Sequence, residues 1–499
     1  MSETVVAVDE LAERRTKHHE ADVVVVGAGV FGCAIAHALA DQGRSVILLE
    51  RWMKEPNRIV GELMQPGGVN SLTKLGLGHC IEDIDSVPCH GFNVFYYGED
   101  IRMPYPRIQG LLGASGEKVS DSKAGGEESP RPQGRSFHHG RFITQLRRAC
   151  LKHPNISVFE TEAVSTIKGD HNPEILGVET RTAKPGAAGG EKQADCFFGQ
   201  LTVVADGYAS RFRKQYIAQA PVVRSKFYAL ELLDCDLPSP GYGHVVIGAA
   251  SPVLLYQIGS RETRVLVDVP ERLPEAAPAR GGVRGYMADV VLPALPASVR
   301  PSFKAALDRD ARIPQSMPNS WLPPTKQSVP GLVILGDAMN MRHPLTGGGM
   351  TVALNDVVLL RDLLAPSRIP DLGDAAAVGR AMHAFHWRRK RLTAIINVLA
   401  MALYALFAAR SAELAKLQRG CFAYFRHGVT HDPMGLLGGL IPDPLVLAYH
   451  FFSVAFLAIW LDWKAAGLWK GPFLLWNAFW ILWTASRVFL PVMYRELLV

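Results

Sequence analysis

The stretch 22–50 restricts the fold of this chain more than any other part of the sequence. It begins with the β-branched run DVVVV, passes through the glycine turn GAGVFG and a helix pattern, AIAHALADQG, and ends with the apolar run SVILLE. This order predicts a strand, a tight turn, a helix and a second parallel strand, which together form a Rossmann-type βαβ unit. We therefore expect an α/β domain that binds a dinucleotide.

The glycines and the terminal acid of this unit each have a physical reason. Gly27 allows the sharp turn, Gly29 lets the backbone approach a pyrophosphate, and Gly32 lets the helix pack closely on the strand. The helix N-terminus offers free N–H groups to the phosphates. Glu50 ends the second strand, where a carboxylate would bind a ribose 2′-hydroxyl, and this favours FAD or NAD over NADP.

Two later motifs separate FAD from NAD. Residues 203–210 (VVADGYAS) end an apolar run with an Asp-Gly pair, and residues 335–350 (LGDAMNMRHPLTGGGM) contain a Gly-Asp pair and a triple glycine. Asp337, after a buried strand, can accept from ribityl hydroxyls, and the glycine run can present N–H groups toward the pyrophosphate or the flavin ring. By pattern alone, either motif could also be an ordinary strand-to-turn junction.

Composition excludes several other classes of protein. The formal net charge is +6 and the lysines and arginines are mostly scattered, so nucleic-acid binding does not follow. The seven cysteines are dispersed, odd in number and without a C-x-x-C pair, which argues against a disulfide framework or a zinc site and favours a reducing compartment. His138 and His139 are adjacent, and neither they nor His343 have a carboxylate at ligand spacing, so no metal site is predicted.

Three segments are expected to differ from the dinucleotide-binding domain. Residues 1–20 are polar and lack the apolar stretch of a signal peptide, so the chain is expected to start in the cytosol. Residues 111–136 are rich in Gly, Ser, Pro and charge, which predicts a disordered insertion. Strand-like runs within 215–324 predict a mostly antiparallel sheet that forms the wall of a second, substrate-binding domain.

The C-terminal region, 366–499, is strongly apolar. The runs 392–409, 444–461 and 471–494 carry almost no charge, and the last two approach the length that spans a bilayer. Six tryptophans between positions 460 and 483 crowd this region, as interfacial anchors would. These features predict a membrane-associated helical region, with two full spans or a hairpin in one leaflet. A buried helical core or a dimer interface is the alternative.

The three nucleotide motifs, in this order and spacing, resemble those of the FAD-dependent monooxygenases typified by the aromatic hydroxylases. Within that class the chain is most similar to the squalene monooxygenases (squalene epoxidases), and its short N-terminus and its insertion resemble fungal members. The blocks that carry the resemblance are RIVGELMQPGG (58–68), SFHHGRF (136–142), LTVVADG (201–207), SPVLLYQI (251–258), GDAMNMRHPLTGGGMTVA (336–353) and PDPLVL (442–447).

The resemblance implies the domain organisation. The FAD-binding domain is expected to be discontinuous, at 21–110, 137–214 and 325–365. The substrate domain at 215–324 would be inserted into it, and the membrane-anchoring helical region would occupy 366–499.

The resemblance also implies a cofactor site for FAD. Glu50 and Arg51 would meet the adenosine end, while Arg58 and Arg141 would lie near the phosphates or the flavin, where fixed cations suit anionic groups. The other expected members are Gly27, Gly29, Val30, Gly32, Asp206, Gly207, Gly336, Asp337, Gly348, Gly349 and Met350.

For the substrate side, the resemblance implies that Gln65, in the QPGG turn, faces the cavity near the flavin and positions the substrate. The long apolar pocket would be lined by Phe92, Tyr256, Pro344, Leu345, Phe407, Phe422, Phe425, Pro433 and Leu437. This chain has Phe92 where animal members carry tyrosine, so a tyrosine hydroxyl at that position cannot bond to Gln65. That hydrogen bond is either dispensable or supplied by another group.

The implied activity is squalene epoxidation. The FAD C4a-hydroperoxide would transfer one oxygen atom of O₂ to the 2,3 double bond of squalene, giving (S)-2,3-epoxysqualene in sterol (ergosterol) biosynthesis. The sequence contains one complete dinucleotide fingerprint, so electrons are expected from a separate NADPH–cytochrome reductase or by transient NADPH contact. The implied location is the endoplasmic reticulum membrane, with the catalytic domain facing the cytosol, or lipid droplets.

Two other interpretations stay open at the level of sequence. The chain could be another FAD-dependent monooxygenase, a flavin halogenase or a prenyl-lipid oxidoreductase of the same fold; a prenyl-lipid reductase would not consume O₂. It could also be a non-enzymatic, FAD-stabilised membrane scaffold, which would show no substrate-coupled turnover of reduced flavin.

Overall fold

Two seven-stranded sheets and a C-terminal group of helices make up most of the computed structural model. The structure describes residues 19–107, 131–170, 173–183, 192–248, 250–309, 312–466 and 471–498. Nearly all of the predicted polar N-terminal segment, and most of the predicted insertion, lie outside the described residues.

The strands, in chain order, are β1 (Glu20–Val26), β2 (Val46–Glu50), β3 (Leu63–Met64), β4 (Val87–Cys89), β5 (Gly91–Tyr96), β6 (Glu99–Pro104), β7 (Gly134–Ser136), β8 (Ile156–Glu160), β9 (Glu162–Lys168), β10 (Ile175–Ala183), β11 (Lys192–Val204), β12 (Val222–Leu233), β13 (Gly243–Ile247), β14 (Val253–Gln257), β15 (Glu262–Pro270), β16 (Ser316–Trp321) and β17 (Leu332–Ile334).

The α-helices are α1 (Val30–Ala40), α2 (Pro66–Lys74), α3 (His139–Lys152), α4 (Arg213–Tyr216), α5 (Gly282–Tyr286), α6 (Leu292–Ala294), α7 (Arg300–Arg309), α8 (Gly349–Leu363), α9 (Ala375–Ala408), α10 (Ala412–Arg426), α11 (His431–Leu437), α12 (Pro444–Ala466) and α13 (Gly471–Met493). A single π-helical turn, Tyr494–Leu498, follows α13.

The first sheet confirms the predicted Rossmann-type unit. Its strand order is β8-β2-β1-β11-β10-β9, and β17 also pairs with β11. The pairs that involve β1, β2, β8 and β17 are parallel, whereas β9 and β10 add antiparallel strands at one side. Residues Val23 to Val25 are fully buried, because a parallel sheet is covered by helices on both faces. Helix α1 packs against α3 and α8.

The second sheet confirms the predicted mostly antiparallel sheet but is assembled differently from the expectation. Its order is β16-β12-β15-β14-β13-β5-β6, and every pair is antiparallel except β13 with β5. Strands β5 and β6 thus belong to this sheet, although the family resemblance implies that residues 21–110 are part of the FAD-binding domain. Parallel pairing of β5 with β13 joins strands about 150 residues apart, and local sequence patterns do not report such long connections.

A third, small sheet corrects one boundary of the predicted insertion. Strand β7 pairs with β3 and β4, so residues 134–136 are ordered rather than disordered. The backbone at Gly134 lies against Met64, since a Cβ there would come within 2.6 Å of the Met64 carbonyl oxygen. Gly134 thus allows two stretches of backbone to pack closely, and a glycine at this position does not indicate disorder.

The apolar helices of the C-terminal region divide into two kinds. Among the described residues, α9 and most of α12 (Pro444–Ala465) are long and apolar enough to cross a membrane. Burial distinguishes them: the most apolar window of α9 is 56% buried within the protein, whereas that of α12 is 28% buried. The run 392–409 therefore belongs to a helix that is largely internal, as the alternative interpretation of a buried helical core predicts. Helices α12 and α13 expose large apolar residues, among them Leu445, Tyr449, Phe456, Trp460, Leu475, Trp476, Phe479, Trp480, Trp483 and Leu490.

Candidate active site

A cavity of about 210 Å³ lies between the two large sheets and brings together both classes of predicted site residue. One side is formed by members of the expected cofactor set: Gly29, Val30, Arg58, Gly207, Gly336, Asp337, Gly349 and Met350. The other side contains members of the expected apolar pocket: Phe92, Tyr256, Pro344 and Leu345. The structure therefore places a polar, glycine-rich surface opposite an apolar wall.

The glycine turn after β1 is packed where the fingerprint requires it and open where a ligand would lie. Gly27 has a φ of +102°, and a Cβ there would come within 2.5 Å of the Ala205 carbonyl oxygen. A Cβ on Gly32 would lie 1.8 Å from the Gly27 carbonyl oxygen. In contrast, no atom lies within 4 Å of the Cβ position of Gly29, the N-cap of α1. The uncapped N-terminus of α1 thus faces open space suited to an anion.

Glu50 and a buried arginine hold this turn from behind. Glu50 Oε2 accepts a hydrogen bond from the Ala28 N–H at 2.8 Å and lies 3.3 Å from Arg147 Nη2. Arg147 Nε donates to the Ala28 carbonyl at 3.0 Å, and its Nη1 donates to the Trp52 carbonyl at 3.0 Å. Arg51, one residue after β2, lies over the exposed Trp52 ring. Glu50 and Arg147 are therefore fixed beside the turn, where an adenosine ribose would bind.

Arg141, which is predicted to lie near the phosphates or the flavin, is not among the residues that line the cavity. Its side chain is 40% exposed, donates to the Ile84 carbonyl at 3.4 Å and lies 3.8 Å from an Asp85 carboxylate oxygen, away from the cavity. Arg147, which sequence reasoning missed, is the buried cation of α3. A signal for it existed: Arg147 lies four residues after Ile143, on the buried face of the helix, where an arginine needs a specific partner.

The Asp-Gly and Gly-Asp motifs converge at the polar side of the cavity. Asp206 Oδ2 accepts from the Arg211 N–H at 3.0 Å, while Oδ1 is buried without a partner among the described residues. Burial raises the pKa of Asp206. Asp337 Oδ2 lies 3.8 Å from Arg58 Nη2, and Arg58 also lies over the Tyr208 ring. Arg58 Nε is buried without a partner in the same described part of the chain.

Gln65 lies behind the triple glycine and is completely buried. Its Nε2 donates to the Thr346 carbonyl at 2.6 Å, and its Oε1 accepts from the Tyr105 hydroxyl at 2.5 Å. Gln65 does not line the cavity directly, because Gly347 stands between them and its Cβ position is 3.4 Å from Gln65 Nε2. Gln65 is predicted to face the cavity, but in the structure it lies behind the cavity wall. Burial raises the pKa of Tyr105 well above its ordinary value, which keeps the hydroxyl a donor.

Tyr105 donates the hydrogen bond to Gln65 that Phe92 cannot make. Phe92 lines the cavity, and its ring meets that of Tyr105 edge to face at 6.4 Å. A tyrosine that follows the neighbouring strand β6 thus supplies the hydroxyl that position 92 lacks. Sequence reasoning missed Tyr105 because the residue bonded to Gln65 comes from a different strand.

The predicted apolar pocket is a larger cluster than the cavity alone. Phe92, Tyr256, Leu345 and Phe422 belong to one buried apolar cluster, and Phe407, Phe425 and Leu437 pack against it. Phe422 is stacked on Tyr96 at 4.2 Å and stands behind the cavity wall. Phe425 and Pro433 line a second apolar cavity of about 90 Å³ among the C-terminal helices. The predicted set therefore spans two apolar cavities and the cluster packed around them.

His139 contributes a neutral polar group to the cavity wall. Its Nδ1–H donates to the Gly61 carbonyl at 2.8 Å, which fixes the tautomer. Burial, assisted by the nearby Arg58 and Arg147 cations, lowers the pKa of His139 to about 3. The imidazole is uncharged near neutral pH.

These features fit bound FAD. The open space at Gly29 adjoins a free helix N-terminus for phosphates. Arg58, whose Nε has no partner among the described residues, lines the same polar side. A structural glycine turn would need none of this open space. The observed arrangement is that of a dinucleotide site facing an apolar chamber.

Two glycine variants separate cofactor binding from folding. Gly29→Ala is expected to leave the thermal unfolding of the apo-protein nearly unchanged, because its φ of −87° suits alanine and its Cβ position is empty. The same methyl should raise the FAD dissociation constant by at least about tenfold, since it occupies the phosphate space. Gly32→Ala should instead lower the stability of the apo-protein by about 1–3 kcal/mol through overpacking. FAD fluorescence titration and calorimetry measure both, and wild-type affinity in Gly29→Ala would contradict this assignment.

Comparisons with known proteins agree with the geometry. A family model described as "Squalene epoxidase" matches residues 198–476, and one described as "FAD dependent oxidoreductase" matches residues 22–54. A squalene epoxidase of Gibberella zeae is 57% identical over 99% of this chain and 99% of its own length. One of Aspergillus fumigatus is 51% identical over 98% and 96%, and a squalene monooxygenase of Mus musculus is 40% identical over 95% and 78%.

Solved structures share the fold at low sequence identity. The p-nitrophenol 4-monooxygenase of Pseudomonas putida has a TM-score of 0.60 at 17% identity and covers 87% of this chain and 98% of its own. The flavin-dependent brominase Bmp2 has a TM-score of 0.61 at 15% identity, with the same coverage. The fold is thus that of FAD-dependent monooxygenases and halogenases, and the full-length sequence matches show that the chain belongs to the squalene epoxidase family.

Proposed function

We propose that this chain is an FAD-dependent squalene monooxygenase of sterol biosynthesis. The proposal is supported by the cavity of about 210 Å³, in which the dinucleotide motifs face the apolar wall around Phe92 and Tyr256. Squalene gains one oxygen atom from O₂ at its 2,3 double bond, and the other oxygen atom leaves as water with two electrons and two protons. FAD, when bound and reduced, supplies the activation of O₂.

The residues of the cavity wall have two tasks in this reaction. The apolar side must exclude water and hold an uncharged alkene in one orientation beside the cofactor. Tyr256 and Leu345 are at most 8% exposed and belong to a buried apolar cluster, which suits both tasks. An alkene offers no proton to remove, so neutral His139 serves as a polar wall group that brings no charge into the chamber.

The cofactor residues are proposed as follows. The turn at Gly27, Gly29 and Gly32 would receive the pyrophosphate. Glu50 would bind the adenosine ribose and is braced by Arg147. Arg58 and Asp337 lie together at the cavity, where they suit the phosphates and the ribityl hydroxyls. The remaining expected members are Val30, Arg51, Asp206, Gly207, Gly336, Gly348, Gly349 and Met350.

Gln65 is proposed as a positioning residue. It holds the Thr346 carbonyl at one end and the Tyr105 hydroxyl at the other, so it fixes the backbone immediately before the triple glycine. A fixed loop there would set the distance between cofactor and alkene.

Electron supply and location complete the proposal. The single dinucleotide fingerprint supports a separate NADPH–cytochrome reductase as the electron donor. The exposed aromatic residues of α12 and α13 support contact with membrane lipid, and a C30 hydrocarbon substrate dissolves in a bilayer and not in water. We place the chain at the endoplasmic reticulum membrane or on lipid droplets, with the catalytic domain facing the cytosol.

The decisive assay uses the full chain in detergent with FAD, NADPH, a cytochrome reductase and squalene under ¹⁸O₂. Mass spectrometry should detect a product heavier than squalene by one labelled oxygen atom. Bound, reducible FAD without this product would contradict squalene as the substrate. Absence of O₂ consumption would instead indicate a reductase.

Removal of single polar groups tests the Gln65 proposal. Gln65→Ala and Tyr105→Phe are expected to lower turnover about tenfold and to raise the H₂O₂ released per squalene oxidised, with FAD content unchanged, because the loop at Thr346 loses its anchor. The double variant should be no worse than Gln65→Ala, since both changes remove one connected unit. Tyr97→Phe, at an exposed tyrosine, is the control. Unchanged turnover and coupling would remove both residues from the site.

Membrane contact is tested by substituting the exposed tryptophans of α13. Trp476→Ser, Trp480→Ser and Trp483→Ser together should weaken co-sedimentation with phospholipid vesicles by about tenfold or more, because large interfacial rings are lost. Trp52→Ser, at an exposed tryptophan far from these helices in sequence, should have no effect. Equal binding of both variants would contradict the proposed membrane surface.

A further inference from the structure

A cluster of polar side chains is buried beneath the loop that carries the Gly-Asp motif. Its members come from that loop, from α8 and α9, and from the last turn of the chain, and each is at most 8% exposed: Asn340, Arg342, Asp356, Arg389, Asn397 and Glu496. Buried charges need specific partners to offset the loss of hydration. The proposed reaction does not use these side chains.

Asn340 is the centre of the cluster. Its side-chain oxygen accepts hydrogen bonds from Arg342 Nη2 at 3.0 Å, Arg389 Nη2 at 3.2 Å and Asn397 Nδ2 at 3.1 Å. Its Nδ2 donates to the Leu322 carbonyl at 2.8 Å. One amide group thus joins the motif loop to two positions on α9.

The two carboxylates of the cluster have different partners. Asp356 is paired directly with Arg389, at 2.7 Å between Oδ2 and Nη2. Glu496 is reached through Asn397, whose Nδ2 donates to Glu496 Oε2 at 2.8 Å. Burial raises the pKa of Glu496 to about 7, against the opposing effect of the Asn397 hydrogen bond and the Arg389 and Arg342 cations. The carboxylate that accepts the hydrogen bond from Asn397 therefore comes from the last turn of the chain, Tyr494–Leu498.

Arg342 connects this cluster to the candidate active site. It lines the cavity beside Gly349, whose carbonyl accepts from Arg342 Nη1 at 3.4 Å. Its Nη2 is held by both the backbone and the side-chain oxygen of Asn340. The guanidinium position thus depends on Asn340, which is held by Arg389 and Asn397 of α9. Asn397 in turn donates to Glu496.

We propose that Glu496 is a positioning residue for the cofactor site: through Asn397 and Asn340 it fixes the Arg342 guanidinium in the cavity wall, where this cation faces an anionic group of bound FAD. The inference rests on the proposed FAD site. It assigns to the end of the chain a role at the cofactor in addition to any contact with lipid.

The test is FAD affinity, measured by fluorescence titration of the full chain in detergent at pH 8, above the pKa of about 7 of Glu496. Glu496→Ala should raise the FAD dissociation constant about tenfold, and Glu496→Gln should raise it less, because glutamine still accepts the hydrogen bond from Asn397. Arg495→Gln, at the exposed neighbouring residue, is the matched control and should bind FAD as the wild type does.

A double-mutant cycle separates positioning from a general loss of structure. Arg342→Met should itself raise the FAD dissociation constant, and adding Glu496→Ala should then have no further effect, because the cation it positions is gone. Fully additive effects, or wild-type affinity in Glu496→Ala, would overturn the proposal. If Glu496→Ala does not fold, the same cycle with Glu496→Gln decides. A wild-type chain that binds no FAD would contradict the proposed function itself.

Discussion

The arrangement of the site depends on how closely three stretches of backbone approach one another at the carboxyl end of the first sheet. Gly27 lies against the Ala205 carbonyl, and the helix at Gly32 lies against the Gly27 carbonyl, at distances that exclude a methyl group. These contacts fix the start of α1 relative to the Asp-Gly loop. Glycines of these loops form part of the polar side of the cavity, whereas the apolar side consists of side chains from the second sheet and from Pro344 and Leu345.

The parts of this site that the sequence predicted are those in which neighbouring residues act together. The glycine turn, Glu50 and the Gly-Asp loop are each contained in a short segment, so their roles follow from local geometry. The sequence did not reveal contacts between residues that are distant in the chain. Arg141 and Arg147 lie on the same helix, and only the packing of α3 against the turn shows that Arg147 reaches Glu50. The pairing of β5 with β13 and the contact of Tyr105 with Gln65 also join residues that are far apart in sequence.

Helix α9 changes how the C-terminal region should be understood. Its first half adds Met382 and Phe385 to the core of the first sheet, and its middle lies so close to Gly348 that a Cβ there would come within 2.3 Å of Ile396. The sequence grouped this helix with the membrane-anchoring segments because all are apolar. The structure shows that α9 supports the motif loop, whereas α12 and α13 carry the exposed aromatic surface.

The hydroxyl of Tyr105 shows that the side-chain oxygen of Gln65 has a hydrogen-bond donor in this chain although residue 92 is phenylalanine. Positions 92 and 105 lie on paired strands or directly after them, and their rings meet edge to face close to the same glutamine. A column-by-column comparison of sequences would count Phe92 as a lost interaction. A substitution at position 92 or 105 is better judged by whether a hydroxyl still reaches the Gln65 oxygen than by the residue type at either position alone.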